Sequence, residues 1–144
     1  MSGEQGQSGG AAATLEANGL RITRQRVLVL EALRDEPHDA TAQQLHERLR
    51  AAGTPIGLAT IYRTLASLSE AGAVDALAHR RGETCYRLCT SPGHHHHLVC
   101  TECHRVVELA DCELDPWLDG VAAAHGFVAE DHRLEVTGIC STCR

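Results

Sequence analysis

Lysine is absent from this chain of 144 residues; all thirteen basic residues are arginine. Aromatic residues are nearly absent as well, with one Trp, two Tyr and one Phe, and there is a single Met. Any core must therefore be aliphatic. No apolar run approaches the roughly 20 residues of a membrane helix. The opening MSGEQGQSGGAAAT has neither the basic region nor the apolar centre of a secretory signal, and the expectation is a cytoplasmic protein with no membrane partner. In that compartment seven cysteines point to metal thiolates rather than disulfides. There is no His-x-Glu ahead of a Cys pair and no Glu set as a general base beside two ligating His, so a zinc hydrolase or deaminase is not expected. Neither a catalytic residue nor a small-molecule substrate is assigned.

What is present suffices for packing. An apolar fraction of 43% supports cores, and the length allows one domain or two small ones. The net charge of −6 is unevenly spread: residues 1–89 hold ten Arg against ten acids, residues 90–144 three Arg against nine. A neutral first half with local arginine clusters is compatible with nucleic acid. The acidic second half suits cations.

Residues 1–13, rich in Gly, Ser, Gln and Ala, read as a disordered tail, followed by a short helical piece over 14–18. Thr23 suits the N-cap of a helix to about Asp35 with Val27, Leu30 and Leu33 inward. Arg24 and Arg26 then fall in its first turn, where positive charge opposes the helix dipole. They are either solvated or set against phosphate. A second helix is expected over about 41–52 and a third over 58–71, stopped by Gly53 and Gly72. On the third, Leu58, Ile61, Leu65 and Leu68 face inward, while Thr60, Tyr62, Arg63 and Ser67 lie outward or on the flank. Helix, helix, turn, helix is a helix-turn-helix pattern. A hairpin over 74–78 and 84–88 follows, tipped by Arg80 and Arg81. It is either an ordinary polar hairpin or the wing of a winged helix, whose tip rides on the DNA backbone; the three preceding helices favour the wing. Residues 90–93 are turn chemistry and a hinge. The remainder reads strand (97–100), strand (106–109), helix (116–125) and strand (127–137).

The densest chemistry is His94 to Cys103, with six His and Cys side chains in ten residues. Cys100-x-x-Cys103 and Cys140-x-x-Cys143, with 36 residues between the pairs, supply four thiolates for a closed tetrahedral zinc site. Along an extended segment alternate side chains face opposite ways. His94 and His96 are therefore expected on one face, His95 and His97 on the other, and one run can serve two sites. Asp75, Cys89, Asp115 and His132 are available as further ligands.

Taken together, Arg24-Gln25-Arg26, the stretch Ala59 to Leu65, the His run and the two Cys pairs resemble the ferric uptake regulator family over roughly residues 15–143, nearest its zinc-sensing members of actinobacterial type. The resemblance implies an α+β protein: a winged-helix DNA-binding domain (14–89), the hinge (90–93) and a C-terminal α/β zinc-binding dimerisation domain (94–144). It implies a structural zinc on Cys100, Cys103, Cys140 and Cys143, and a regulatory hinge zinc on Asp75, Cys89, His95 and His97. A third site falls on His94, His96, Asp115 and His132, although the family usually has Glu where this chain has Asp115, which also suits a plain helix N-cap. Two to three zinc ions per chain follow. The implied function is a zinc-dependent repressor in which zinc, as corepressor, locks a homodimer onto palindromic AT-rich operators of zinc-acquisition genes. Thr60, Tyr62, Arg63, Arg24, Arg26, Arg80 and Arg81 are the expected contacts to double-stranded DNA. Cys89 as ligand favours zinc; the alternative is a sister regulator sensing iron, nickel or peroxide. Zinc storage without DNA binding is the competing class. Cys85, Cys112 and His104 have no matched role: Cys85 reads as a buried residue of the wing, Cys112 as a spare thiol or an extra ligand.

Overall fold

Helix α2 (Arg24–Arg34) is the centre of the first half of the chain. In the computed structural model, which describes residues 7–78, 82–89 and 93–144, the chain divides into two units, Met1–Thr90 and Ser91–Arg144. In the first unit α2 packs against α1 (Gln7–Ala17), α3 (Ala42–Ala51), α4 (Leu58–Glu70) and strand β3 (Thr84–Leu88). Covered on several sides, α2 buries Val29 and Ala32 as well as Leu30 and Leu33, which is wider than the single stripe its sequence suggests. Val27 is only partly buried against the same core.

Each helix boundary has a local cause. Thr23 caps α2 by accepting from the Arg26 N–H at 3.3 Å. Thr41 caps α3 in a reciprocal box: its hydroxyl accepts from Gln44 N–H at 3.1 Å, and its own N–H donates to Gln44 Oε1 at 2.9 Å. At the end of α4, Gly72 takes φ +84°, which lets Ala73 N–H reach back to Leu68 O at 2.9 Å. A Cβ at Gly72 would be strained by that backbone angle alone.

Strand β2 (Val74–Ala78) pairs antiparallel with β3, and β1 (Ala40–Thr41) pairs with the other edge of β3, giving the sheet order β1-β3-β2. The hairpin is the wing expected from sequence. The two-residue strand β1 was not, because two residues carry no periodicity. Cys85 lies in the middle of this sheet, 2% exposed. Arg80 and Arg81, expected at the hairpin tip, lie outside the described residues.

Of the expected disordered tail over 1–13, residues 1–6 lie outside the described residues and 7–13 differ from the expectation. Residues 7–13 belong to α1, which continues to Ala17. Ala11 and Leu15 are fully buried in the core of the first unit, and burial of that face, not helix propensity, orders a segment this rich in glycine.

In the second unit β4 (His96–Cys100) is the central strand, antiparallel to β5 (Val106–Leu109) and parallel to β6 (Glu135–Gly138). Helix α5 (Asp115–Ala124) makes the crossover. The long strand expected over 127–137 shortens to β6: residues 127–134 are irregular, and Phe127 and Val128 are exposed.

Because Leu15 is buried without solvent contact, Leu15→Ala is expected to cost about 2–5 kcal/mol, read as a lowered denaturant midpoint with the same slope. Unchanged stability would mean that α1 is undocked.

Candidate metal centres and nucleic-acid face

The second unit gathers donor atoms at two places. At one end of the sheet, β4 ends in Cys100 and the turn after it carries Cys103, while the segment after β6 carries Cys140 and Cys143. β4 and β6 run parallel, with Cys100 opposite Gly138, so both turns emerge at the same end. The four Sγ atoms lie within 4.8 Å of one another, and Cys103 Sγ is 3.7 Å from Cys140 Sγ. Tetrahedral Zn–S bonds of about 2.3 Å imply S–S edges of about 3.8 Å, so the donor set fits zinc. Cys140 N–H donates to Cys100 Sγ at 3.4 Å. This bond and the Cys103 N–H draw the Cys100 thiol down to about 6. The side-chain hydrogen bond with Cys140, followed by that with Cys103, pushes the Cys143 thiol up to about 12.

The second gathering uses the His run. His94 Nε2 is 3.0 Å from both His96 Nε2 and His132 Nε2, which are 3.0 Å from each other. Cys112 Sγ is 3.2 Å from His96 Nε2 and 3.2 Å from His132 Nε2. Each neutral imidazole nitrogen has one in-plane direction for a proton or a lone pair. Three of them facing one point satisfy each other poorly but suit a cation. His96 is the most enclosed, at 3% exposed. Burial, then the neighbouring His94 and His132, lower its pKa and favour the neutral form that metals bind.

Here the structure differs from the expected third set. His94, His96 and His132 come together, but the fourth donor is Cys112 Sγ. Asp115 is neither at the meeting point nor the cap of α5: the N-cap is Leu114, without a side-chain cap bond. The Asp115 carboxylate lies instead 3.5 Å from His132 Nδ1, on the far side of that ring. Asp115 is one methylene shorter than Glu and is held in the first helical turn next to Pro116, so it stops at the outer edge of the imidazole. Cys112, in the extended segment before α5, reaches the Nε2 atoms.

The other two imidazoles, His95 and His97, pair with each other at a ring distance of 4.9 Å. His97 stands opposite Glu108 of β5, a carboxylate to which sequence reasoning gave no role; its place beside the run comes from strand register and not from spacing. Asp75 is on β2 and Cys89 follows β3, both half-buried in the first unit.

On α4, Ile61, Thr64, Leu65 and Leu68 are buried, which leaves Tyr62 41% exposed with Arg63 outward beside it. Arg63 donates to Thr60 Oγ1 at 3.2 Å. Gly57 caps α4 without a side chain, so its first-turn N–H groups carry the positive end of the helix dipole unmasked. Arg24, Gln25, Leu28, Pro55, Ile56, Gly57 and Thr60 line a cavity of about 240 Å³ at that helix start. Arg26 differs from Arg24: it donates to Arg21 O at 2.7 Å and Ser67 Oγ at 3.2 Å and ties α2 to α4. This internal role was not expected.

The model of the ferric uptake regulator family matches residues 17–137. The chain belongs to the ferric uptake regulator family. Among curated relatives it is 45% identical over 130 residues to the zinc uptake regulation protein of Mycobacterium tuberculosis, covering 90% of this chain and 99% of that one. It is 35% identical over 128 residues to the ferric uptake regulation protein of Escherichia coli, covering 88% and 86%. A solved zinc uptake regulator complexed with zinc and DNA matches at TM-score 0.76 and 26% identity, covering 99% of this chain and 96% of that one. The winged-helix and α/β architecture expected from sequence is that of the family.

In metal-free protein at pH 8, Cys103, the exposed thiol of the cluster, is expected to alkylate first. Cys85, whose thiol is pushed up to about 12 by burial and by the Asp39 and Glu83 carboxylates, is expected to stay unmodified until the chain unfolds. Timed mass mapping checks the order; early labelling of Cys85 would refute its burial.

Proposed function

We propose that this protein is a cytoplasmic, zinc-dependent transcriptional repressor that binds palindromic, AT-rich operators as a homodimer. The observation that carries this reading is one chain holding both an outward-facing Tyr62–Arg63 surface on α4 and soft, closed donor sets of the zinc type. The kinship with a zinc uptake regulation protein over nearly its whole length supports it. The likeness to a regulator solved with zinc and DNA supports the partner.

The roles divide by chemistry. The four thiolates leave no open position for water, so their zinc is structural and no catalytic step is assigned. Asp75, Cys89, His95 and His97 are the regulatory set, with Glu108 as a further oxygen donor. Two of these residues belong to the first unit and two to the second. Zinc bound by all four prefers one arrangement of the units and shifts the population towards it. In a dimer that arrangement sets two α4 helices at half-site spacing. Cys89 favours zinc over the harder iron and manganese ions, which ranks a zinc sensor above a sister metal sensor.

The homodimer is supported by the second unit's surface. α5 buries no residue of its own; Trp117 is 64% exposed, Phe127 72% and Val128 90%. An apolar face of this kind marks a protein–protein contact, and a second copy offers the same face in return.

On the DNA side, Arg24 and the open start of α4 receive phosphate, as do Arg80 and Arg81. Tyr62 and Arg63, with Thr60 supporting Arg63, reach base edges. Arg63→Ala is expected to lose about 1–3 kcal/mol of binding and to relax sequence preference, whereas Arg24→Ala weakens specific and random duplexes alike. The deciding experiment is a zinc titration against an operator and a random duplex with bound zinc counted. Specific binding is expected only after the four-thiolate site is full and a further zinc per chain enters, and Cys89→Ser should abolish it. Specific binding by Cys89→Ser at the same zinc level would remove the regulatory set. Zinc filling with no duplex preferred, including a panel of promoters, would replace the repressor by a zinc store.

A further inference from the structure

Cys112 is the one thiol outside the four-cysteine cluster that faces imidazole nitrogens within the second unit. We propose that this chain's third metal site is a three-imidazole, one-thiolate zinc site, with Cys112 as ligand and Asp115 as the carboxylate that orients His132.

Three observations carry it. First, the Nε2 atoms of His94, His96 and His132 form a triangle of 3.0 Å edges, and Cys112 Sγ caps two of its corners at 3.2 Å. A tetrahedral zinc with these ligands has N–N edges of about 3.3 Å and N–S edges of about 3.5 Å, so these five edges open by about 0.3 Å, while the sixth, Cys112 Sγ to His94 Nε2, lies within 4.8 Å. Second, the His94 ring meets the other two edge-on, at 89° to His96 and 66° to His132, while His96 and His132 are tilted by 34° to each other. Such splaying aims three in-plane lone pairs at one point, which stacked surface histidines do not do. Third, the Asp115 carboxylate sits at 3.5 Å from His132 Nδ1. A carboxylate there keeps the proton on Nδ1 and leaves the Nε2 lone pair for the metal. Asp115 thus acts through His132 and is a positioning residue.

The consequence is selectivity. A carboxylate in the fourth place makes a site of nitrogen and hard oxygen, acceptable to iron and manganese as well as zinc. A thiolate shifts preference towards zinc. With Cys89 in the regulatory set, both sites built on the His run then contain one sulfur. This selectivity matters for gene control only if the repressor reading holds; the ligand assignment stands apart from it.

The test uses full-length protein with the four-thiolate site filled by zinc, in a Cys89→Ser background, which leaves Cys112 and the buried Cys85 as the thiols outside the cluster; the Cys112→Ser variant tells which of them gives a new sulfur–cobalt charge-transfer band. Cobalt(II) is titrated and followed in the near ultraviolet, with competition by zinc. The expected result is a charge-transfer band with one cobalt per chain and tetrahedral visible bands. Cys112→Ser should lose the ultraviolet band and bind zinc at this site at least tenfold more weakly. Asp115→Asn should keep the band and weaken zinc by about 10–100-fold, the usual effect of losing an orienting partner. The proposal is overturned if cobalt binds here without a thiolate band. It is equally overturned if Cys112→Ser keeps the band, or if Asp115→Asn abolishes cobalt binding while Cys112→Ser leaves it unchanged, the behaviour of a carboxylate ligand. Circular dichroism and the retained structural zinc show whether each variant is folded. Operator binding by the unaltered protein, run in parallel, separates the two readings: its failure removes the repressor and leaves the ligand assignment, and an unaffected Cys112→Ser does the reverse.

Discussion

Side-chain alternation along β4 and the residues leading into it is the constraint on which the second unit depends. Four consecutive histidines on an extended chain have to split two and two. His94 and His96 turn to Cys112 and His132, while His95 and His97 pair on the opposite face. The strand then ends in Cys100, the first thiol of the four-cysteine cluster. One strand of five residues and its two-residue approach therefore feed both donor sets of the second unit and the separate His95–His97 pair, and a one-residue slip would exchange the two histidine pairs. Strand β4 is held on both sides, by β5 and β6, which fixes the register that the metal chemistry needs.

The same strand pairing explains how 36 residues of separation produce a compact thiolate cluster. Cys100 and Cys140 can meet only if the strands that precede them end at the same edge of the sheet, which requires β6 to run parallel to β4. Parallel neighbours need a crossover, and β5 with α5 is that crossover. The unit then has little left to bury: Val99, Cys100 and His96 are its buried residues, and α5 contributes none. Metal bound by its donor sets would add folding free energy where the core is this thin. The first unit is the opposite case, with an aliphatic core running from Ala11 to Tyr86.

Much of this was legible because it depends on short-range rules. Thr23, Gly53 and Gly72 mark helix ends through capping and left-handed backbone, and both wing strands follow from the same reading. Spacing alone exposed the thiolate pairs, and period two exposed the division of the His run. What was not legible depends on tertiary contact. Residues 7–13 look disordered by composition and are ordered by the burial of Ala11 and Leu15. Strand β1 exists only because β3 has a free edge. Glu108 comes beside His97 through register, and Arg26 turns inward because Ser67 lies within its reach.

Asp115 and Cys112 show where reading by correspondence and reading by geometry separate. The family position falls on Asp115, and a carboxylate is there. Ligation, however, is decided by reach: fixed in the first turn of α5, the Asp115 carboxylate lies at the Nδ1 side of His132. The Nε2 side is faced by the thiol of Cys112, three residues earlier. A carboxylate beside a ligating imidazole is still useful, since it raises ligand basicity and fixes the tautomer. Loss of one methylene and gain of one thiol thus change the ligand set from nitrogen and oxygen to nitrogen and sulfur while keeping four donors. In this site β4 and its approach supply two imidazoles, and the flanking segments supply the third and the sulfur.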